Sequence, residues 1–260
     1  MFFADYHTHS SDASFDAADG IASLAASAAA RGLTELAVTD HCDMGSDFAP
    51  RAYMAAFSAA AESSPVPLLL GIELGESLHN PARAREMLGA MPLDFVIGAY
   101  HRLKSSDDFY LLDYPDIPTC RSLIRLYLEE LYETCAEGNF DVLAHLTYPL
   151  RYMRGRGGMD IDFTAYRAEV AQIYRLAISQ GKGIELNLSG LLKKTGLLMP
   201  DIELLRLYRE CGGKIITCGS DAHCAADVGT HLREGYDILR HAGFAYITSY
   251  RERRPRYEKL

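Results

Sequence analysis

The feature that most constrains the fold is an alternation of short apolar runs with longer stretches of helical spacing along the 260 residues. Short runs rich in apolar and β-branched residues are typical of strands. Strands that alternate with helices favour β-α units and a mostly parallel sheet. The predicted strands cover residues 2–6, 33–39, 68–73, 94–98, 141–144, 183–188, 214–218 and 244–248.

The stretches between these runs predict seven helices. Gly32, directly after the first of them, is typical of a helix C-terminus. No linker rich in Ser, Gly or Pro divides the chain, so seven or eight β-α units predict one α/β barrel domain over residues 1–260. The predicted helices cover residues 21–31, 51–62, 81–90, 120–136, 163–180, 202–211 and 226–242.

Charge and cysteine usage exclude several classes of partner. A net charge of −9 argues against a protein that neutralises nucleic-acid phosphates. No apolar run approaches the roughly 20 residues of a membrane span. The six cysteines form no Cys-x-x-Cys pair and the N-terminus lacks a basic, apolar leader, so we expect reduced thiols and a cytoplasmic protein. The sequence leaves the oligomeric state open.

Polar side chains capable of binding metals follow the predicted strands. Because the carboxyl ends of barrel strands converge on one face, side chains far apart in sequence can meet there. Six of the nine histidines occupy such positions. The metal-binding side chains at strand ends are His7, His9, His41, Glu73, His101, His145, Asp221 and His223.

Two of these strand ends carry pairs of potential ligands. His7 and His9 are two residues apart on an extended strand, so both side chains point the same way and can bind one ion. Asp221 and His223 repeat this spacing. Imidazole binds ions such as zinc and iron, and carboxylates suit harder ions and can bridge two of them. A chain this long needs no structural metal to remain folded, so the pattern predicts a metal site for chemistry.

The order of these motifs resembles the polymerase and histidinol phosphatase (PHP) family of metal-dependent phosphoesterases. The similar segments are His-Thr-His-Ser at 7–10, Thr-Asp-His at 39–41, Gly-Ile-Glu at 71–73, His101, Ala-His at 144–145 and Gly-Ser-Asp-Ala-His at 219–223. Two further segments are similar to the histidinol-phosphatase branch, namely residues 141–152 and 184–190.

The resemblance implies a distorted β/α barrel, typically of seven strands, with two or three divalent ions such as Mn, Fe or Zn. It implies a first ion held by His7, His9, Glu73 and Asp221, and a second held by Glu73, His101 and His145. A third ion would be held by His41, His223 and a ligand from the first loop. That loop ligand is Asp16 or Asp12, and Asp16 is favoured because Ser-Phe-Asp at 14–16 is similar to the family's ending of this loop.

Basic side chains near the predicted metal site are candidates for phosphate binding. Residues 151–158 contain three arginines and three glycines, which predicts a loop on the catalytic face. Arginine can bind two phosphate oxygens at once. Arg151 falls where the branch carries a basic residue, and Lys193 follows Leu192, which stands where the branch often carries arginine. Arg154 and the Ser220 hydroxyl complete the candidates, whereas the basic tail 251–256 is predicted to be a solvated end.

The reaction implied is hydrolysis of a phosphate monoester, with histidinol phosphate as substrate in histidine biosynthesis. Two ions would share a hydroxide that attacks phosphorus, and Glu73 would bridge them. Asp221, His223 or a metal-bound water would protonate the leaving group. One alternative is a phosphoesterase of the same family that acts on nucleotides, oligonucleotides or phosphotyrosine. A second is a metal-binding regulatory module without turnover.

Overall fold

The computed structural model describes residues 2–193 and 196–260. Its main sheet contains seven parallel strands that are hydrogen-bonded in sequence order. The predicted alternation of strands and helices is therefore confirmed. The strands are β1 (Ala4–Asp5), β2 (Glu35–His41), β3 (Leu68–Gly75), β4 (Phe95–Ala99), β5 (Val142–Leu143), β6 (Gly183–Asn187) and β7 (Ile216–Gly219).

The first and last of these strands meet, so the sheet curves into a nearly closed barrel. The Tyr6 N–H donates to the Cys218 carbonyl at 3.1 Å. A parallel bridge joins Thr8 to Ala222 just beyond the two strands. The distorted seven-stranded β/α barrel implied by the sequence is confirmed, and the carboxyl ends of its strands lie on one face.

The helices that cover the barrel agree with the predicted ones to within a few residues in most cases. Several begin at sequence signals for a helix start, such as Pro50 and Pro81 in the first turn and the Asp201 carboxylate, which accepts the Leu204 N–H. They are α1 (Ile21–Ala30), α2 (Pro50–Glu62), α3 (Pro81–Gly89), α4 (Ile117–Glu137), α5 (Tyr148–Gly155), α6 (Arg167–Ser179), α7 (Ser189–Leu192), α8 (Ile202–Glu210) and α9 (Leu232–His241).

Two predicted segments differ from the structure. The arginine-containing segment after β5 is not a loop throughout, because α5 begins at Tyr148 with Pro149 in its first turn and carries Arg151. The predicted helix 226–242 begins only at Leu232. Gly229 and His231 adopt left-handed backbone conformations, with φ of 73° and 60°, which interrupt a right-handed helix before that point.

The C-terminal tail is a third difference. Instead of a solvated end it forms an antiparallel hairpin of β8 (Tyr246–Arg251) and β9 (Arg254–Lys259). The side chains of Arg251 and Arg253 form ion pairs with Glu35 at 2.5 Å and with Asp141 at 2.9 Å. Because these acidic residues lie where β2 and β5 begin, the hairpin lies at the amino-terminal end of the barrel, away from the predicted site.

Apolar side chains fill the barrel interior below the catalytic face. Phe95 is fully buried and packs edge-on against Tyr6 with ring centroids 5.2 Å apart. Leu69 belongs to the same interior cluster, and the alternation of a strand places Glu73 on the same face four residues later. Glu73 therefore places a carboxylate next to this apolar cluster, at the catalytic face of the barrel. None of the described helices combines the length and apolar character needed to cross a bilayer.

Candidate metal centre and active site

The side chains predicted to bind metals lie together at the carboxyl ends of the barrel strands. They surround a cavity of about 800 Å³. His7 and His9 are fully buried beneath the cavity surface, where His7 contacts Glu73 and His9 contacts Asp221. The predicted ligands that line the cavity are Asp16, His41, Glu73, His101, His145, Asp221 and His223.

Glu73 is the centre of this arrangement. Its side chain is fully buried, and five imidazole rings have a nitrogen within 4 Å of one of its carboxylate oxygens. The Oε1 atom lies 2.9 Å from His145 Nε2, 3.3 Å from His101 Nε2 and 3.5 Å from His7 Nε2. The Oε2 atom lies 2.7 Å from His41 Nδ1 and 3.8 Å from His9 Nε2. A carboxylate with different partners on its two oxygens has the geometry of a bridging ligand.

Asp221 provides a second carboxylate at the end of β7. Its Oδ1 atom lies 3.4 Å from His9 Nε2 and 3.9 Å from His7 Nε2. The other oxygen accepts hydrogen bonds from Arg151 Nη2 at 3.2 Å and from the Ser189 hydroxyl at 2.9 Å. One oxygen therefore faces the histidines and the other is held by neighbouring donors.

The loop after β1 brings Asp16 to the site. Asp16 Oδ2 lies 3.2 Å from His223 Nε2, and Oδ1 lies 3.6 Å from His41 Nε2. The Asp12 carboxylate instead accepts the Ile21 N–H at 2.8 Å, at the start of α1. Of the two loop residues left open by the sequence, the structure brings Asp16 to the histidines.

Asp40 holds the loop that carries Asp16. Its carboxylate accepts the Ser10 N–H at 2.5 Å and the hydroxyls of Ser10 and Ser14 at 2.6 Å each. The Ser14 hydroxyl oxygen in turn accepts the His41 N–H at 3.0 Å. Asp40 therefore fixes the path of the loop relative to the end of β2.

Electrostatic interactions keep the two central carboxylates ionised. Burial alone would raise the pKa of Glu73, but His101, His7 and His41 hold it well below its usual value. Burial would likewise raise the pKa of Asp221, whereas His7, His9 and Arg151 lower it strongly. In a site of low polarity these charges need positive partners.

Several buried ligand atoms have no hydrogen-bond partner among the described residues. They include His7 Nε2, both ring nitrogens of His9 and His145 Nδ1. An unpartnered buried polar atom costs about 1–3 kcal/mol, so such a cluster is unfavourable unless a cation binds there. Among the described residues, four sets of ligand atoms lie within 4.8 Å of one another: His7, His9 and Asp221; His7, Glu73 and His145; His9, His41 and His223; and Asp43, Glu76 and His101. The residues present therefore fit divalent ions bound by imidazole and carboxylate.

Two carboxylates that the sequence analysis did not assign orient the histidines. Glu185 Oε1 lies 2.7 Å from His7 Nδ1. Glu76 accepts the His101 N–H at 2.7 Å and lies 3.5 Å from His101 Nδ1. Both glutamates are almost fully buried; Glu185 lies within β6, and Glu76 directly follows β3. The available sequence signal was an acidic residue in or just after a predicted strand. Which histidine such a residue contacts depends on the tertiary structure.

Two of the predicted phosphate-binding residues line the cavity. Arg151, which is 7% exposed, projects from α5 and donates to Asp221 and to the Ser189 hydroxyl. Lys193 also lines the cavity, as does Arg156, which was not among the principal candidates.

The other two predicted residues are turned elsewhere. The Arg154 guanidinium donates to the Ile161 carbonyl, and Arg154 is not among the cavity-lining residues. The Ser220 hydroxyl donates to Asp5 Oδ2 at 2.5 Å, and the Ser220 N–H donates to the other oxygen of the same carboxylate at 2.9 Å. Neither Arg154 nor Ser220 is therefore among the residues that line the cavity.

The walls of the cavity combine both signs of charge with aromatic rings. Asp43 and Asp108 line the same cavity as Arg151, and Tyr148 and Tyr152 pack edge-on with ring centroids 5.2 Å apart. Such a cavity can accommodate a small molecule that carries an anionic group, a cationic group and a flat ring.

Comparison with known proteins identifies relatives over most of the chain. The PHP domain matches residues 5–189. A histidinol-phosphatase from Lactococcus lactis is 26% identical over 259 residues, which is 95% of this chain and 93% of the relative. A probable histidinol-phosphatase from Thermotoga maritima is 34% identical over 125 residues, which is 48% of this chain and about half (51%) of the relative.

A solved structure has a similar fold. Histidinol phosphate phosphatase from Lactococcus lactis, in a complex with zinc, L-histidinol and phosphate, superposes with a TM-score of 0.80. The superposition covers 98% of both chains at 24% identity. It shows that the two chains share one fold over nearly their whole length.

The proximity of His41 to two carboxylates predicts a pH dependence for the metal-free protein. Burial alone would lower the pKa of His41, but Glu73 and Asp16 raise it to about 10. The unfolded value is about 6.5. The contribution of protonated His41 to the stability of the folded protein is therefore complete below about pH 6.5, and it is lost as the pH rises towards about 10. The free energy of unfolding of chelator-treated protein, measured with urea, should fall over this pH range. The fall should be smaller in His41→Asn. An unchanged decline in the variant would contradict the assignment.

Proposed function

Because the chain belongs to the PHP domain family, we propose that it is a metal-dependent phosphatase that converts histidinol phosphate and water to L-histidinol and phosphate. The observation that carries this proposal is the buried Glu73 carboxylate among five imidazoles, in the same cavity as the Arg151 guanidinium. The histidinol-phosphatase relative that aligns over 95% of the chain supports the choice of substrate.

We propose two or three divalent ions, with Mn, Fe or Zn as candidates. Glu73 would bridge the first two ions, since its Oε2 atom faces His9 and its Oε1 atom faces His101 and His145. The first ion would also use His7, His9 and Asp221, and the second His101 and His145. Asp16, His41 and His223 would hold the third. The unpartnered ligand atoms support these assignments.

Bound divalent ions would supply Lewis-acid stabilisation of the phosphoryl oxygens and lower the pKa of the attacking water. Three such ions carry a formal charge of about +6, against −3 from Asp16, Glu73 and Asp221. A phosphate dianion would therefore meet positive local potential, although the chain as a whole carries −9. The charge of the ions and their ligands outweighs the net charge of the chain for a bound phosphate, because the cavity lies next to these ligands.

Arg151 is positioned to bind the phosphoryl group. Asp221 and Ser189 hold its Nη2 atom, so the guanidinium has little freedom to move. Its Nε atom is buried and has no hydrogen-bond partner among the described residues. A donor held in place without a partner is suited to stabilise charge that develops on a phosphoryl oxygen. Lys193 would add positive charge on the same side of the cavity.

The leaving oxygen needs a proton, and we propose that His223 supplies it in the enzyme with two bound ions, rather than Asp221, which its histidine and arginine neighbours keep ionised. Both side chains line the cavity that holds Arg151. Burial alone would lower the pKa of His223, but Asp16 and Asp221 raise it. A group that retains its proton near neutral pH can act as a general acid.

The two signs of charge in the cavity favour a substrate that is both anionic and cationic. The basic side chains Arg151, Arg156 and Lys193 would face the phosphate, whereas Asp43 and Asp108 would face an ammonium or imidazolium group. Tyr148 and Tyr152 provide aromatic surface beside them. Histidinol phosphate has a phosphate, an amine and an imidazole ring, which matches this arrangement.

Further expectations from the sequence accompany this proposal. We place the protein in histidine biosynthesis, in the cytoplasm. We treat residues 1–260 as a single PHP-type domain, and we expect neither nucleic acid nor membrane as a partner.

Competing substrates test the proposed function directly. The metal-loaded protein should hydrolyse histidinol phosphate with a higher kcat/KM than nucleoside monophosphates, short oligonucleotides or phosphotyrosine, because only histidinol phosphate places a cation opposite Asp43 and Asp108. Release of inorganic phosphate, measured side by side, provides the comparison. A preference for a nucleotide would reject the proposed substrate, and no turnover of any ester would favour a regulatory module.

Two arginines on α5 provide a matched pair of variants. Arg151→Ala removes a cavity donor, so kcat/KM should fall by about 10²–10³-fold with metal content unchanged. Arg154→Ala removes a guanidinium that binds the Ile161 carbonyl outside the cavity, so kcat/KM should stay within a few-fold of wild type. Steady-state kinetics and metal analysis of both variants are required. The opposite order of effects would contradict the placement of the phosphate.

A further inference from the structure

Glu185 lies on β6 and contacts two histidines from different parts of the barrel. Its Oε1 atom lies 2.7 Å from His7 Nδ1. Its Oε2 atom accepts the His145 N–H at 2.9 Å and an Asn187 side-chain N–H at 3.2 Å. Glu185 is 1% exposed, so solvent does not compete for these contacts. His7 and His145 are the ligands that we assign to two different ions.

These contacts fix which nitrogen of His7 carries hydrogen. An ionised carboxylate only accepts hydrogen bonds, so the Nδ1 atom facing Glu185 must carry a proton. In the neutral ring, Nε2 then presents its lone pair on the other side, where Glu73 lies at 3.5 Å and Asp221 at 3.9 Å. Glu185 thereby selects the tautomer of His7 that can bind an ion.

The neighbouring strand leaves space for this pair. A side chain on Gly219 of β7 would place its Cβ 2.4 Å from His7 Cβ and 2.6 Å from Glu185 Oε1. Both distances are shorter than real contacts allow. The absence of a side chain at residue 219 is therefore required for the close approach of His7 and Glu185, which is an observation independent of the hydrogen bonds.

We propose that Glu185 is a positioning residue that couples the first two metal sites. It orients the His7 ring through one oxygen and the backbone of His145 through the other, and Glu73 contacts both of these rings. The proposal rests on the metal centre of the proposed function. Partners of metal-bound imidazoles typically contribute 10–100-fold to metal affinity.

Glu185→Gln tests the proposal because an amide offers only one acceptor oxygen. If that oxygen keeps the donors from His145 and Asn187, the amide NH₂ faces His7 Nδ1. His7 must then accept there and carry its proton on Nε2, which removes the lone pair needed by the ion. Zinc affinity should fall by about 10–100-fold, measured by competition with a chelator. In ¹⁵N-histidine NMR of the zinc-loaded protein, the wild-type Nδ1–H signal of His7 should be lost in the variant.

Glu35→Gln is the matched control. Glu35 is a buried glutamate at the opposite end of the barrel, where it contacts Tyr6 and Arg251. The same substitution there should leave zinc affinity and the His7 signal unchanged. Circular dichroism of the metal-free proteins reports whether each variant folds. If Glu185→Gln does not fold, Glu185→Asp replaces it, because a side chain one methylene shorter keeps the charge but does not reach both histidines.

Wild-type zinc affinity together with an intact Nδ1–H signal in a folded Glu185 variant would overturn the proposal. These measurements use no phosphate ester, so they are separate from the test of function. A wild-type protein that binds zinc but does not hydrolyse histidinol phosphate would contradict the proposed substrate and leave the role of Glu185 standing.

Discussion

The burial of the Glu73 carboxylate among five imidazole rings is the interaction on which the site depends. Glu73 lies on the interior face of β3, above apolar side chains such as Leu69, where water cannot solvate its charge. The histidines that surround it come from the ends of four other strands or the segments that follow them. A charge in this position is stable only when cations compensate it, and this requirement connects the barrel geometry to metal binding.

The remainder of the structure keeps these rings in place. Closure of the barrel between Tyr6 and Cys218 brings the first strand, with its two histidines, beside the strand that precedes Asp221. Asp40 fixes the loop that carries Asp16, and Glu185 orients His7. The C-terminal hairpin lies at the other end of the barrel, so its ion pairs contribute to the fold without contacting the cavity. Most of the proposed metal ligands therefore lie at or just after strand ends. The part of the cavity proposed to bind the substrate includes α5 and loops.

The sequence predicted the parts of this arrangement that follow from local rules. Strand ends converge in any parallel barrel, so His7, Glu73 and Asp221 could be placed together before the structure was known. Contacts between distant segments could not be predicted, because nothing near Glu185 indicates its contact with His7, 178 positions away. The direction of Arg154 depends on the Ile161 carbonyl, and the basic tail resembled a solvated end because its partners Glu35 and Asp141 lie far away in sequence.

The most direct test of the account is the metal content of Glu73→Gln, determined by elemental analysis of protein purified without chelator. Wild-type protein should contain more than one equivalent of divalent metal. The substitution keeps the size of the side chain but removes the charge that faces all five histidines, so metal content and histidinol phosphate turnover should fall together. A folded Glu73→Gln protein that retains both the metal and full activity would contradict the central role of this carboxylate.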